Sequence, residues 1–566
     1  VLTIGRQARR ELYNLQPEPP RPPVPRELCL EVSARSGADG QPVASLCAAD
    51  RAAIQAAIAA LKPRSVAINL LFSFMDDSNE REIASWLPDD VFVSLSSDVL
   101  PEYREFERGI ATWLNAWVGP LVAGYTQRLG DALAPAPVAV MQSSGGTVSA
   151  DLAGQKAVQL LLSGPAGGLM GARFLGQQAG YSRLLTFDMG GTSTDVALID
   201  GDIRLTNEGH IGEWPVAVPM VDMHTIGAGG GSIARVDDGG LLQVGPESAG
   251  ATPGPACYGQ GGMQPTVTDA NLVLGYLQAD AFLGGAMPLD SVAAQRAVQG
   301  LANRLDCSAI EAARGVLAVA NEHMAQALRV ISVQRGEDPS DYVLVSFGGA
   351  GGLHVCALAD ALGMRKALVP MNAGVLSALG MLVAPPSRQL SHTLTGALSG
   401  FAKADIEQQL QALAAAGRAE LAHEGVTPEK VVAQFSLDLR YTGQSHTLNL
   451  AWAGSAATAA AFHDLHEQRY GHRMDLPVEL VNLRCGLQGE PAHIHMPPVE
   501  ENMPTPQMAA VADCAAPVPV WDRATLGTGQ VLNGPALITE TVASTWLPPS
   551  WSCKVDGTGN LLLTRE

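Results

Sequence analysis

The chain has 566 residues, of which 47% are hydrophobic and 16% charged, and its 56 acidic against 36 basic residues give a formal charge of −20. That length calls for several domains with sizeable cores. The acidic balance argues against a nucleic-acid binder, which needs a basic face, and there is neither an apolar run long enough to span a bilayer nor a signal peptide.

The eight cysteines are scattered, with no CxxC pair. In a chain this long they read as reduced thiols of a cytoplasmic protein. The first residue is Val1, and VLTIGRQARRELYNL reads as the interior of a protein and the end of a helix. Further sequence upstream is therefore expected. Six prolines between Pro17 and Pro25 predict a stiff extended connector.

From there the pattern alternates. Residues 28–32 read as a strand, 49–61 as an Ala-rich helix, and VAINLLF and VFVSLS as buried strands. Residues 101–133 predict a long helical stretch interrupted near Gly119-Pro120. A short strand, 138–141, leads into a Gly-Gly-Thr turn at 145–147, read as structural. Glycines at 164–168 open a helix. They can serve an anion at its N-terminus or close packing, and both readings stand.

The stretch LLTFDMGGTSTDVALIDGDIRLT (184–206) carries the clearest chemistry. Two apolar runs flank a Gly190-Gly191-Thr192-Ser193-Thr194 turn, and Asp200-Gly201 turns the chain again, so a strand meander is predicted. The glycines let backbone N–H groups approach an anion, and the hydroxyls of Thr192 and Thr194 can donate to it. Asp188 and Asp195 frame the loop and can hold Mg²⁺ through water. The reading is a nucleotide phosphate loop.

Gly227, Gly229, Gly230 and Gly231 crowd the next turn, where backbone lies against backbone or ligand. Asp269 reads as a helix cap. Residues 312–334 form an amphipathic helix ending at Gly336. Strand 342–347 then runs into Gly348-Gly349-Ala350-Gly351-Gly352 and a helix, a nucleotide-site geometry without the spacing of a dinucleotide fingerprint or a Walker lysine.

Beyond about residue 395 the composition changes. Residues 406–423 form a helix, 434–450 a hairpin, and 462–471 a helix whose His463, His466 and Glu467 read as polar surface rather than as metal ligands. His493 and His495 alternate on an expected strand. Residues 515–566 read as a small β module.

The ordered motifs PEYREFER (101–108), SGPAGG (163–168), FDMGGTSTDVALI (187–199), TIGAGGGSIA (225–234), ESAGATPGPACYGQGG (247–262), PTVTDANLVLG (265–275), FGGAGGLH (347–354), NAGVLSALG (372–380), RYTGQ (440–444) and FHDLHEQRYG (462–471) resemble the hydantoinase A / 5-oxoprolinase family along essentially the whole chain. The resemblance implies an α/β fold with an actin/Hsp70/sugar-kinase-like (ribonuclease-H-like) two-lobed ATPase core and a C-terminal α+β, β-rich region. It implies a remainder of the N-terminal lobe at 1–120, the ATPase core at 121–390 and a C-terminal domain at 391–566.

The same resemblance implies an A component of an ATP-dependent cyclic-amide hydrolase of the 5-oxoprolinase or N-methylhydantoinase type. It would use ATP and Mg²⁺ (or Mn²⁺) to phosphorylate the lactam oxygen, beside a B-type subunit. Asp188 and Asp195 would organise the metal, Gly190, Gly191, Thr192 and Thr194 would contact phosphate, Gly229 and Gly230 would line the nucleotide, and Gly348, Gly349 and Ala350 would pack on its adenosine side. The alternatives are an acetone- or acetophenone-type carboxylase subunit and an inactive scaffold for the B-type subunit.

Three departures stand out. The family's first phosphate loop, a DxGGTxxD-like turn, has no counterpart in residues 1–60, so half of the phosphate clamp is expected to be missing from this chain. Gly352 stands where the family often has proline. GIATWLNAW (109–117) replaces a turn rich in Ser and Thr, leaving fewer hydroxyls near a possible substrate region.

Overall fold

The structure is a computed structural model that describes residues 13–16, 21–500 and 504–566. The helical reading of residues 1–15 and the first prolines of the connector lie largely outside the described residues. The chain packs as two compact units, each built from separate segments: residues 1–163, 205–220 and 385–491 in one, and 164–204, 221–384 and 492–566 in the other.

The second unit is organised by a mixed sheet. Its strands are β1 (Arg183–Met189), β2 (Thr194–Asp200), β3 (Met223–Ile226), β4 (Val343–Phe347), β5 (Lys366–Val369), β6 (Val531–Asn533), β7 (Trp551–Val555) and β8 (Leu561–Arg565). Their order is β3-β2-β1-β4-β5-β8-β7-β6, with Asp202–Ile203 paired to β2. The β1–β2–β3 meander is antiparallel, while β4 runs parallel to β1 and to β5. This 3-2-1-4-5 order is the ribonuclease-H-like arrangement expected from the motifs. Strands β1 and β4 are almost wholly buried and mainly apolar, because both of their faces are covered.

Helices cover the sheet. They are α1 (Ser163–Gln178), α2 (Val267–Leu274), α3 (Ala309–Ile331), α4 (Val355–Ala361) and α5 (Leu376–Val383). Past its first turn the glycines of α1 serve packing: a Cβ at Gly168 would stand 2.5 Å from the Phe347 ring, and one at Gly171 would stand 2.7 Å from the Leu376 carbonyl of α5, whereas Gly164 has open space beside it. Ser308 and Glu311 form a capping box at the start of α3. That helix ends at Ile331, and a short 3₁₀ turn, Val333–Arg335, carries the chain on to Gly336.

The first unit holds a parallel pair, Ser65–Ile68 with Phe92–Leu95, under the long helix Glu105–Leu133. It also holds a four-stranded antiparallel sheet built on Ser387–Ala397, Val432–Tyr441, Leu448–Ala451 and Val478–Gln488, packed by the helices Lys403–His423 and Ser455–Tyr470.

Four local expectations are corrected. Residues 29–32 form no strand and follow a 3₁₀ turn, Arg26–Leu28. The Glu105–Leu133 helix runs unbroken through Pro120. Packing overrides the local break there: Asn115 is anchored to Ser94 and Gln155 before the proline, and Gly154 packs on Ala123 after it. His493 and His495 lie in irregular chain, not on a strand. Residues 515–566 do not stand apart, because β6, β7 and β8 extend the main sheet through pairing of β8 with β5. The remainder, with Gln507–Ala509, makes a second sheet whose Leu537, Val518 and Trp546 pack on Leu353.

Candidate functional site

The site forms at the turn end of the β1–β2 hairpin. Asp188 and Asp195 are directly opposite across the two strands, so their side chains share one face. Like charges so placed repel each other. Burial, and then the Asp195 carboxylate, push the Asp188 acid up to about 6. Burial also raises Asp195, opposed by the Thr225 hydroxyl that donates to its Oδ1. Thr225 is the β3 residue paired with Asp195.

Between the carboxylates the loop 190–193 is closed by Gly190 N–H donating to Ser193 O at 3.1 Å. Gly191 and Thr192 are exposed, and their N–H groups have no partner among the described residues. Thr194 differs from its neighbours. It is fully buried, and its hydroxyl donates to the Ala228 carbonyl, which ties β2 to the glycine turn. Its side chain therefore braces the loop instead of facing its open side.

The 227–231 turn lies flat on the hairpin loop. Gly230 N–H donates to Gly190 O at 3.0 Å, and Gly231 N–H donates to Gly191 O at 2.7 Å. A Cβ at Gly229 would stand 2.8 Å from the Gly191 carbonyl carbon, so only glycine permits the approach. Gly229 N–H is taken by Ser232 Oγ at 2.8 Å. Gly229 and Gly230 are thus buried and spend their donors on holding the phosphate-loop candidate in place.

Two further layers hold the glycine turn. Thr268, in the first turn of α2, donates both its N–H and its hydroxyl to Gly230 O, each at 2.8 Å. Asp269 beside it is the third residue of a capping box with Thr266, not the cap itself. Its carboxylate also accepts from Ala256 N–H and Cys257 N–H. On the other side Ser248 Oγ lies 3.5 Å from Gly191 O and accepts from Gly250 N–H at 3.2 Å.

The Gly348 turn closes the far side. Gly348 has φ +79°, and a Cβ there would stand 2.3 Å from Asp188 Oδ1 and 2.5 Å from Met189 O. Gly348 N–H donates to Ala373 O, and Ala350 N–H to Met189 O at 3.3 Å. Gly349 is exposed beside the Val542 carbonyl. His354, at the end of this motif, is buried, bonds Asn321 through Nδ1 at 2.6 Å, and is pushed down to about 4 by burial.

The structure thus brings Asp188, Asp195, the 190–193 loop, Gly229, Gly230, Gly348 and Ala350 together. Thr225, Thr268 and Ser248 join them without a local signal, because each acts across a strand pair or a loop crossing that spacing does not reveal. Among the described residues no group of three His, Cys, Asp or Glu is placed to hold a metal ion, and the polar-surface reading of the 462–471 helix is corrected at His466, which is buried against Tyr441 and Phe462 because that face of the helix packs on the antiparallel sheet. His463 bonds Tyr441 Oη, and His466 bonds Gln444 and the His472 carbonyl. The Asp188/Asp195 pair alone suits a hard cation that keeps waters and takes its other ligands from phosphate.

The sequence model of the family described as hydantoinase/oxoprolinase matches residues 108–389, and that of the hydantoinase/oxoprolinase N-terminal region matches residues 1–90. Caprolactamase subunit alpha of Pseudomonas jessenii is 34% identical over 100% of this chain and 85% of its own length. A crystal structure of ATP-dependent caprolactamase from Pseudomonas jessenii superposes with a TM-score of 0.86 at 33% identity, covering 100% of this chain and 86% of that one. 5-Oxoprolinase 1 of Arabidopsis thaliana is 31% identical over 88% of this chain and 42% of its own length. The nucleotide-free structure of an acetone carboxylase, from work on ATP-dependent acetone carboxylation, matches with a TM-score of 0.74 at 25% identity, over 97% of this chain and 82% of its own. No described helix is long and apolar enough to cross a membrane.

Proposed function

Because the chain belongs to the hydantoinase/oxoprolinase family, we propose that it is the ATP-using subunit of an enzyme that opens a cyclic amide. The observation that carries this reading is the pair of desolvated carboxylates flanking a loop with two backbone donors that have no partner among the described residues. Such a pair is poised for a cation, and the loop for phosphate oxygens.

In this reading Asp188 and Asp195 would hold Mg²⁺ (or Mn²⁺), and Gly191 and Thr192 N–H would meet the phosphates. ATP supplies the phosphoryl group that gives the lactam oxygen a leaving group, which a resonance-stabilised amide lacks. The chain's own work is positioning. Thr225 orients Asp195, Gly348 leaves room beside Asp188, and the stacked glycine turn keeps the two loop donors pointing outward. A second subunit of B type would supply the hydrolytic half.

The test is turnover with that second subunit present, following ADP release and ring opening of caprolactam, 5-oxoproline and N-methylhydantoin. ADP release coupled one-to-one to ring opening of one of them is expected. ATP turnover with no ring opened, but with labelled bicarbonate fixed into a ketone, would replace this reading by the carboxylase one, which the acetone carboxylase likeness favours as second choice. No nucleotide binding at all would leave a scaffold.

A further inference from the structure

The Glu105–Leu133 helix of the first unit carries no charged residue from Gly109 through Gln127. One side of it is fixed on the Phe92–Leu95 strand. Asn115 donates to Ser94 Oγ at 3.0 Å, and a side chain at Gly119 would strike the Phe92 ring at 2.3 Å. At 3.6 residues per turn, Trp113, Trp117, Leu121 and Tyr125 fall on the opposite side in one line.

That line is open. Trp117, Leu121 and Tyr125 are 63%, 64% and 61% exposed. Trp113 is half-buried and stacks on Trp117, with centroids 5.4 Å apart and planes at 16°. Trp214, from the hairpin of Gly209–Ile211 and Trp214–Val216, meets Trp113 edge-on at 5.7 Å. The Trp117 ring is thus held in place from below, which lowers the entropy lost when a partner covers it.

Single exposed apolar residues are ordinary on a protein surface. A contiguous four-residue ridge with three aromatics and no charge among them is not a scatter of single residues. Tyr and Trp in such a line are the residues that anchor interfaces.

We propose that this ridge is the docking surface for a second, non-identical subunit. The inference rests on the reading above, in which the chain is one subunit of a larger enzyme, as the alpha subunit of caprolactamase is by its name. Charge decides against a second copy of this chain. Two bodies of −20 repel each other, and the exposed Arg128, one turn beyond Tyr125 on the same helix, sets a single positive charge against that repulsion.

The test uses the full chain, tagged and co-expressed with the second subunit of its own enzyme, with complex mass read by light scattering. The wild type should give a mixed complex. Leu121→Asp and, separately, Trp117→Lys should each weaken it at least about tenfold, with circular dichroism and Mg-ATP binding of the free chain unchanged. Hydroxyl-radical footprinting of the wild-type complex needs no variant, and it should protect Trp117. A mixed complex untouched by both substitutions, or equal labelling of Trp117 with and without the partner, overturns the surface and leaves the subunit reading standing. A wild-type chain that forms no mixed complex overturns both. A homodimer of the chain alone that Leu121→Asp dissolves assigns the ridge to a second copy and overturns the proposal.

Discussion

At the residue scale the site turns on one unfavourable arrangement, two carboxylates facing each other where water is partly excluded. In the absence of a cation this arrangement costs stability. Asp188 has a folded acid constant raised to about 6 against an ordinary value near 4. Its contribution is therefore fully present below about pH 4 and is lost as pH rises through about 6. Asp188→Asn removes that loss. The melting temperature of the metal-free variant should gain on the wild type between pH 4 and pH 7, read by calorimetry at both pH values, and a constant difference would contradict the assignment. The same variant should lose ATP-dependent turnover while remaining folded. Gly348→Ala tests the neighbouring position. It places a Cβ against Asp188 and Met189 at a φ of +79°, so a loss of roughly 1–3 kcal/mol is expected in denaturant unfolding, with Mg-ATP binding also lost.

At the element scale the hairpin loop is the top layer of a stack. The 227–231 turn lies beneath it, and the first turn of α2 lies beneath that. Thr268→Val removes one of two hydrogen bonds to Gly230 O. It should raise the Kd for Mg-ATP roughly three- to tenfold, at a cost of about 1 kcal/mol in stability, with turnover at saturation nearly unchanged. Asp269→Ala strips the partner from three buried backbone donors and the Thr266 hydroxyl. Denaturant unfolding should show a loss of roughly 2–4 kcal/mol. These layers also show what a sequence conveys. The glycines at 190–191, 229–231 and 348 announce close backbone approach, because no other residue fits. Which backbone each one approaches is set by long-range packing and is silent in the pattern. Thr268 looks like any hydroxyl in a first helical turn, and Thr194 looks like a phosphate ligand until its burial is seen.

At the scale of the whole molecule, the ordered motifs were enough to place the chain in its family and to anticipate the β1–β2 hairpin and a strand at β4, but the third strand of the meander was expected just after Asp200-Gly201, where only Asp202–Ile203 pairs with β2, and the sheet instead takes β3 from residues 223–226. The return of the C-terminus was not readable. NLLLTRE has the composition of any buried strand, and its pairing with β5 crosses nearly two hundred residues. The two units are likewise built from segments that interleave along the chain, whereas composition divides it only in series. The chain spans 85% of the length of the caprolactamase alpha subunit, and the sheet that carries Asp188 and Asp195 lies within the part they share.

The central claim is that the Asp188/Asp195 hairpin holds Mg-ATP. Isothermal titration of Mg-ATP into the folded wild-type chain and into Asp188→Asn tests it most directly. The account predicts saturable binding heat with one site per wild-type chain, abolished in the variant. A folded wild-type chain that gives no heat, or a variant that binds as the wild type does, would contradict it.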